Sequence, residues 1–406
     1  MTLTILIDLD DTLLINNANL FQEIYLKALA EHLKAYIPPE KLISQLLSAT
    51  RAMYKKKTPQ GTLKETFDAH FYPALGVSPS LLQPLIDEFY TQIFPTLSCY
   101  TQPRLEAIDL IQTALSHGHR VVIATNPLFP RVAILERLRW ANLPPDTYPF
   151  TLIPDYETFH FCKPHPAFLA EILATLRWPE DPAVMIGNSL DEDILPAEAL
   201  GLPTYWVNET FQFPTDQRHP LSSQGPLSGV GAWLSTIEDN TGGIELKTPA
   251  AILAILAATP AAIENLTRDL PPVLWMVRPA PQEWAVNEII CHLRDVDAEV
   301  NLPRLSAILS SDNPFIAGID TDNWAEARNY HAQDGTEALR SFMATRMLIL
   351  NQLEPLTPND WQRTARHAIF GHTSLQELMG FVATHDQTHI RQIGNTIYQV
   401  RMSPSD

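Results

Sequence analysis

The stretch Leu3-Thr4-Ile5-Leu6-Ile7-Asp8-Leu9-Asp10-Asp11-Thr12-Leu13 decides how the first half of the chain reads. Leu3 to Ile7 has the composition of a strand buried on both faces, as in a parallel sheet. Asp8 and Asp10 follow directly at its carboxyl end, and in open α/β sheets that end is where ligands bind. Like charges this close repel unless a cation lies between them. The segment therefore predicts a hard divalent metal site with chemistry on an oxyanion. A turn with an N-cap accounts for the same residues less fully. A calcium loop does not fit, because Leu13 stands where its glycine is required and no glutamate closes it.

Working outward, residues 17–98 lack the alternation of strands and read as helical. In Asn19 to Ala35, for example, Phe21, Ile24, Tyr25, Ala28, Leu29 and Leu33 share one face. From about 104 a helix runs to Gly118, a C-cap signal. Then come a strand over Arg120–Ala124, a helix near 130–140, a strand near 150–153 and a helix near 166–176. A strand over Ala183–Ile186, a helix near 192–200 and a last strand over Thr204–Val207 follow. Strands alternating with helices predict a parallel, doubly wound sheet. Residues 239–248 are rich in turn formers and read as a linker. Beyond them the segments near 249–268, 284–309, 335–353 and 373–399 have helical spacing with no convincing strand, which predicts a four-helix bundle. The expected organisation is a domain over 1–238, a linker over 239–248 and a bundle over 249–402.

A chain of 406 residues is long for one domain and fits two or three. With 28 basic against 46 acidic residues the net charge is −18, which disfavours nucleic-acid and membrane-surface partners. No run of 18 purely apolar residues stands out as a membrane span. The N-terminus has no basic region ahead of its first strand, so no signal peptide is expected. Cys99, Cys162 and Cys291 are too widely spaced for a disulfide framework or a thiolate zinc site. A cytoplasmic, reducing setting is the expectation.

Four signals fall at carboxyl ends of predicted strands: Asp8 with Asp10, Thr125, Lys163-Pro164, and Gly187-Asn188-Ser189-Leu190-Asp191-Glu192-Asp193. Their order and strand context resemble the haloacid dehalogenase (HAD) superfamily over residues 1 to about 238. The resemblance implies a Rossmann-like α/β core with a helical cap at about 16–98, and a phosphatase using Mg²⁺ and an aspartyl-phosphate intermediate. Asp8 is then the nucleophile, and Asp10 the general acid and later base. Thr125, Asn126 and Lys163 bind the phosphoryl group, and Asp8, Asp10, Asn188 and Asp193 hold Mg²⁺. Asn188 departs from the family's usual Asp; its amide oxygen still ligates Mg²⁺, with one negative charge fewer. Asp11 stands where Gly is commoner. Asp10 favours a phosphatase over a dehalogenase, and the substrate implied is a small phosphorylated metabolite. The basic run Arg51, Lys55, Lys56, Lys57 reads either as an anion-attracting patch or as a solvated face.

His385-Asp386-Gln387-Thr388-His389 places two imidazoles at i and i+4 on one helix face, able to reach one metal. His292 stands on an earlier helix. Three histidines leave open coordination positions, as catalytic sites do. With Trp284 and Glu288 ahead of the first histidine, the pattern resembles the DinB-like family over about 249–400. That implies a bundle binding a divalent transition metal (Zn, Ni, Fe or Mn) through His292, His385 and His389. A low-molecular-weight thiol is then a possible co-substrate, and a homodimer through the bundle a possible assembly. A zincin is excluded because Asp386 replaces its glutamate. His331, His367 and His372 read as surface histidines in loops. Two other functions remain open: a metal- and thiol-dependent transferase in the bundle with the first domain auxiliary, or a non-catalytic phosphate sensor.

Overall fold

The computed structural model describes residues 2–208, 210, 218–239 and 246–402, so residues 240–245 of the expected linker lie outside the described residues. Contacts divide the chain into two compact units. One is Met1–Lys57, Gly61–Leu169 and Pro179–Ile244; the other is Thr58–Gln60, Ala170–Trp178 and Glu245–Asp406.

In the first unit the chain runs β1 (Thr4–Ile7), β2 (Leu14–Ile15), then the helices α1 (Ala18–Leu33), α2 (Pro39–Lys55), α3 (Leu63–Leu75) and α4 (Pro79–Glu88). It continues through β3 (Gln102–Pro103), α5 (Leu105–Ser116), β4 (Arg120–Ile123), α6 (Arg131–Trp140), α7 (Pro166–Thr175), whose residues from Ala170 onward belong to the other unit, and β5 (Ala183–Gly187). The last elements are α8 (Leu195–Leu200), β6 (Thr204–Val207), β7 (Ser223–Gly225) and α9 (Val230–Asp239). The sheet order is β4-β1-β5-β6-β7 and every pairing is parallel, the predicted doubly wound core. Ile7 pairs with Ile123 on one side and Ile186 on the other, so the carboxyl ends of β1, β4 and β5 stand level. β1 and β5 are buried throughout, which is why they read as mostly apolar runs.

The helical insertion α1–α4 is the predicted cap. Thr62 and Glu65 form a capping box at the start of α3, and Gly76 ends it in the left-handed region at φ 71°. β2 and β3 pair antiparallel, Leu14 with Pro103 and Ile15 with Gln102, so the cap leaves and re-enters the core through adjacent strands. Two expectations fail here. The segment near 150–153 makes only one bridge, Val122 to Leu152, and is not a strand. β6 is not the last strand, because β7 pairs beside it, Tyr205 with Ser223; Ser223-Gln224-Gly225 is too short and too polar to announce itself.

The second unit holds α10 (Pro249–Thr267), α11 (Val286–Val296), α12 (Leu302–Ser310), β8 (Phe315–Ile316), α13 (Trp324–Ala327), α14 (Gly335–Leu353), α15 (Pro358–Trp361), β9 (Thr364–His367), β10 (Gly371–Ser374) and α16 (Leu375–Met402). One wide turn, Asp297–Asn301, joins α11 to α12. These are the four predicted helical segments. The small sheet β10-β9-β8 corrects the expectation of no strands. Four-residue strands carry too few alternations to stand out from a helical background. The sheet buries His367 and places exposed His372 on β10, so neither lies in a surface loop. His331 is half-buried, its Nδ1 3.7 Å from Glu288. α10 also corrects the membrane reading: with mean hydropathy 1.5 it is long and apolar enough to cross a bilayer. Most of it is buried in this unit against other helices, as a core helix is.

Candidate active site and candidate metal centre

Asp8 is the first residue beyond β1, and its N–H donates to the Ile186 carbonyl at 2.9 Å. Ala124 donates to the Ile7 carbonyl at 2.7 Å, which puts buried Thr125 level with Asp8. Lys163 enters from its loop and is 2 % exposed. Its ammonium donates to Asp8 Oδ1 at 2.6 Å and to Asp193 Oδ1 at 2.5 Å. Burial works against that ammonium, but Asp193 and Asp8 outweigh it and hold the proton above the usual lysine range. Burial pushes the Asp193 carboxyl up, and Lys163 pulls against it. Asp193 Oδ2 also accepts from the Ser189 N–H at 2.9 Å, so both of its oxygens are engaged.

Thr12 Oγ1 lies 3.1 Å from Asp8 Oδ2 and 3.1 Å from Asn188 Oδ1. The Asn188 carbonyl accepts from Trp206 Nε1 at 2.9 Å, which fixes the loop. Asp8 Oδ2 and Asn188 Oδ1 thus converge on one hydroxyl, and these converging side-chain atoms are all oxygen. That set suits a hard cation such as Mg²⁺. Asp11 sits in the left-handed region at φ 55°, where glycine is most at ease. Here its carboxylate offsets the strain by accepting from the Asn16 N–H at 2.7 Å.

Asp10 accepts from Asn16 Nδ2 at 3.1 Å and pairs closely with Arg137 on α6. Arg137 is 3 % exposed and lies over the Phe129 ring. Burial pulls its guanidinium down to about 10, which leaves it charged at neutral pH. Sequence reasoning missed Arg137, although one arginine among Ile134, Leu138 and Ala141 on the buried side of α6 was a visible signal. Asn126 Nδ2 donates to Tyr54 of the cap at 3.3 Å and reaches Glu192 at 3.5 Å. In the basic run, Arg51, Lys55 and Lys57 are exposed, and Lys56 donates to the His160 carbonyl at 3.1 Å. None of the four lines the cavity beside Asp10.

In the second unit the three expected histidines meet. His385 Nε2 is 3.2 Å from His292 Nε2 and 3.1 Å from His389 Nε2. Burial and the neighbouring imidazoles push His292 and His385 down to about 3, so both are neutral and carry lone pairs. His389 Nδ1 bonds Gln392 Oε1 at 2.8 Å. As an amide oxygen only accepts, the proton sits on Nδ1 and Nε2 presents a lone pair. Lone pairs converging this closely repel unless a cation collects them, so the donor set fits a divalent transition metal. Trp284 covers the cluster, its ring 5.1 Å from that of His292.

Behind the cluster lies a group that sequence reasoning missed. Arg346 on α14 is fully buried. It donates to Asp297 from Nε at 2.7 Å, to Asp386 from both terminal nitrogens, and to the Leu256 carbonyl at 2.9 Å. One guanidinium so ties α10, the turn after α11, and α16 beside His385. Glu288 caps α11 through the Ala285 N–H at 2.9 Å and pairs with Arg278, fixing the helix that carries His292.

The family model of haloacid dehalogenase-like hydrolases matches residues 2–201, and that of the DinB superfamily matches residues 255–393. A curated protein of Oceanobacillus iheyensis, named by inference as a metal-dependent hydrolase, is 29% identical over 110 residues. The match covers 27% of this chain and 63% of that protein, so the chain spans less than two thirds of its relative's length. Among solved structures, a HAD phosphatase from Thermococcus onnurineus is 18% identical with TM-score 0.37, covering 60% of this chain and 100% of that one. YfiT from Bacillus subtilis, a four-helix bundle of unusual topology, is 18% identical with TM-score 0.35, covering 38% of this chain and 89% of its own.

Proposed function

We propose that this chain, which joins a haloacid dehalogenase-like hydrolase to a DinB-superfamily bundle, is a phosphatase of small phosphorylated metabolites through its first unit. The observation that carries the reading is the buried Lys163 ammonium between Asp8 and Asp193. It holds the Asp8 carboxylate in place, aimed from the carboxyl end of a central strand, as a nucleophile must be. A carboxylate oxygen of Asp8 attacks phosphorus and the ester P–O bond breaks. Asp10 supplies the proton taken up by the leaving oxygen. Asp10 then takes a proton from water, whose oxygen attacks the same phosphorus; the bond to Asp8 breaks and phosphate leaves. Thr125, Asn126 and Lys163 hold the phosphoryl oxygens. Asp8, Asp10, Asn188 and Asp193 would hold Mg²⁺, which neutralises phosphoryl charge when bound. Arg137 and Asn16 hold the Asp10 carboxyl in place, and the Arg137 pair opens when Asp10 acts as the acid. The test is phosphate release from p-nitrophenyl phosphate with Mg²⁺ by the full-length protein. Asp10→Asn should lower kcat about 10²–10⁴-fold; no release by the unaltered protein would sink the reading.

The three converging imidazoles favour a second activity in the other unit: a divalent transition metal at His292, His385 and His389, with a thiol as co-substrate. Purified protein should carry one such ion, lost in His385→Ala, and show thiol-dependent turnover that disappears with it. Metal without turnover would reduce the bundle to a binding module.

A further inference from the structure

A half-open chamber of about 350 Å³ lies between the cap and the catalytic face of the first unit, within the range of small-molecule pockets. Its two ends differ in chemistry. Asp10, Asn16, Asn126 and Arg137 line the end next to Asp8. The body is lined by rings, among them Tyr25, Phe67, Phe71, Tyr90, Phe129 and Tyr156, with Leu29 and Leu46 between them.

Most of the hydroxyls in that body are already spent, with Tyr156 the exception among the described residues. Tyr25 and Tyr90 bond each other at 2.8 Å, and both are at least 94 % buried. Tyr72 donates to Gln83 at 2.7 Å, and Thr50 to the Leu46 carbonyl at 2.9 Å. A sugar or glycerol body placed there would lose water from each hydroxyl and find few partners in return. An apolar body would only gain, by leaving water for aromatic walls.

The position of Asp10 fixes which part of a substrate goes where. The leaving oxygen must lie beside Asp10 to receive its proton, so whatever that oxygen carries extends away from Asp8, and the chamber opens there. Arg137 marks the border, with its guanidinium on Asp10, its Nε buried without a partner, and Phe129 beneath.

We propose that the substrate is a phosphomonoester of a predominantly apolar alcohol, aromatic or aliphatic, whose body fills this chamber; polyol phosphates are excluded. The inference rests on the phosphatase reading and names the substrate class for the same site. Hydrolysis consumes one water and yields the apolar alcohol and inorganic phosphate. The chamber holds about a dozen water-sized groups, which sets the size of the alcohol.

The test compares 1-naphthyl phosphate and alkyl phosphates of increasing length with glycerol 3-phosphate and glucose 6-phosphate, using full-length protein and Mg²⁺. Along the alkyl series kcat/KM should rise about fourfold per methylene until the chamber is filled. Both polyol phosphates should fall at least about a hundredfold below 1-naphthyl phosphate. Leu29→Phe, which adds bulk inside the chamber, should move the optimum to shorter chains. Turnover of polyol phosphates at equal or better efficiency would overturn the inference and leave the phosphatase reading standing. Calorimetric binding to Asp8→Asn separates the two claims. Tight binding of 1-naphthyl phosphate over glycerol 3-phosphate without turnover in the unaltered protein would support the chamber assignment and overturn the phosphatase reading. Equal binding of the two would overturn the chamber assignment.

Discussion

A Cβ placed on Gly187 would lie 2.2 Å from Oδ2 of Asp193. Gly187 ends β5, and its missing side chain is what lets the Asp193 carboxylate fold back beneath the Ser189 N–H and reach Lys163. Gly187→Ala should therefore push Asp193 off Lys163 with the sheet intact. Misplacing a catalytic cation by an ångström costs about 10²-fold. Phosphate release should fall by that order, and the thermal midpoint should fall as well, because the pair broken is buried. A variant with full activity would show that the Lys163–Asp193 pair does not position the lysine.

Asn188 offers Mg²⁺ a neutral oxygen where a carboxylate would add charge. Asn188→Asp should lower the Mg²⁺ concentration giving half-maximal rate several-fold, because cation affinity follows the ligand charge count. A titration of rate against Mg²⁺ reads this directly. An unchanged midpoint would remove Asn188 from the ligand set.

Arg346 pairs with both Asp297 and Asp386 inside the second unit. Its loss strands two buried carboxylates, a situation worth about 3–5 kcal/mol for a broken buried pair. Arg346→Ala should lower the urea midpoint of that unit's unfolding accordingly. It should also weaken metal binding, because Asp386 adjoins His385 on α16. A midpoint within about 0.5 kcal/mol of the parent, the range of surface changes, would contradict this role.

Glu288 is fully buried. Burial works against its carboxylate, but Arg278 and the Ala285 N–H outweigh it and hold the group below the ordinary glutamate value of about 4.3. A depressed folded value means the contribution is fully present above about 4.3 and is lost as pH falls through the folded value. Glu288→Gln should thus melt lower than the parent at pH 7, with the gap narrowing at pH 4 and below. A gap that stays constant over that range would show that the carboxylate charge is not the stabilising element.

The features legible in the sequence were local. Asp8 and Asp10 follow a strand announced by four apolar residues out of five, and His385 and His389 share a helix face by spacing alone. Arg137 and Arg346 were hidden because their partners, Asp10 and Asp386, are distant in the chain. Each nonetheless interrupts an apolar helix face, Arg346 among Phe342, Met343, Ile349 and Leu350. A charge in a core stripe should have raised the question of its counter-ion. The sheet β8–β10 escaped for a different reason: Thr364–His367 alternates exposed and buried, but four residues give the period too little length. The apolar chamber was the least legible, because it is assembled from α1, α2, α3 and the loop after β4, and no single segment announces it.

Covalent attack by Asp8 is the central step. Rapid quenching of Asp10→Asn during p-nitrophenyl phosphate turnover, followed by peptide mass analysis, tests it most directly. The variant lacks the base that prepares water, so a phosphoryl adduct should accumulate on the peptide carrying Asp8 and be absent in Asp8→Asn. Release of p-nitrophenol without any adduct on that peptide would show that water attacks phosphorus directly, and would contradict the account.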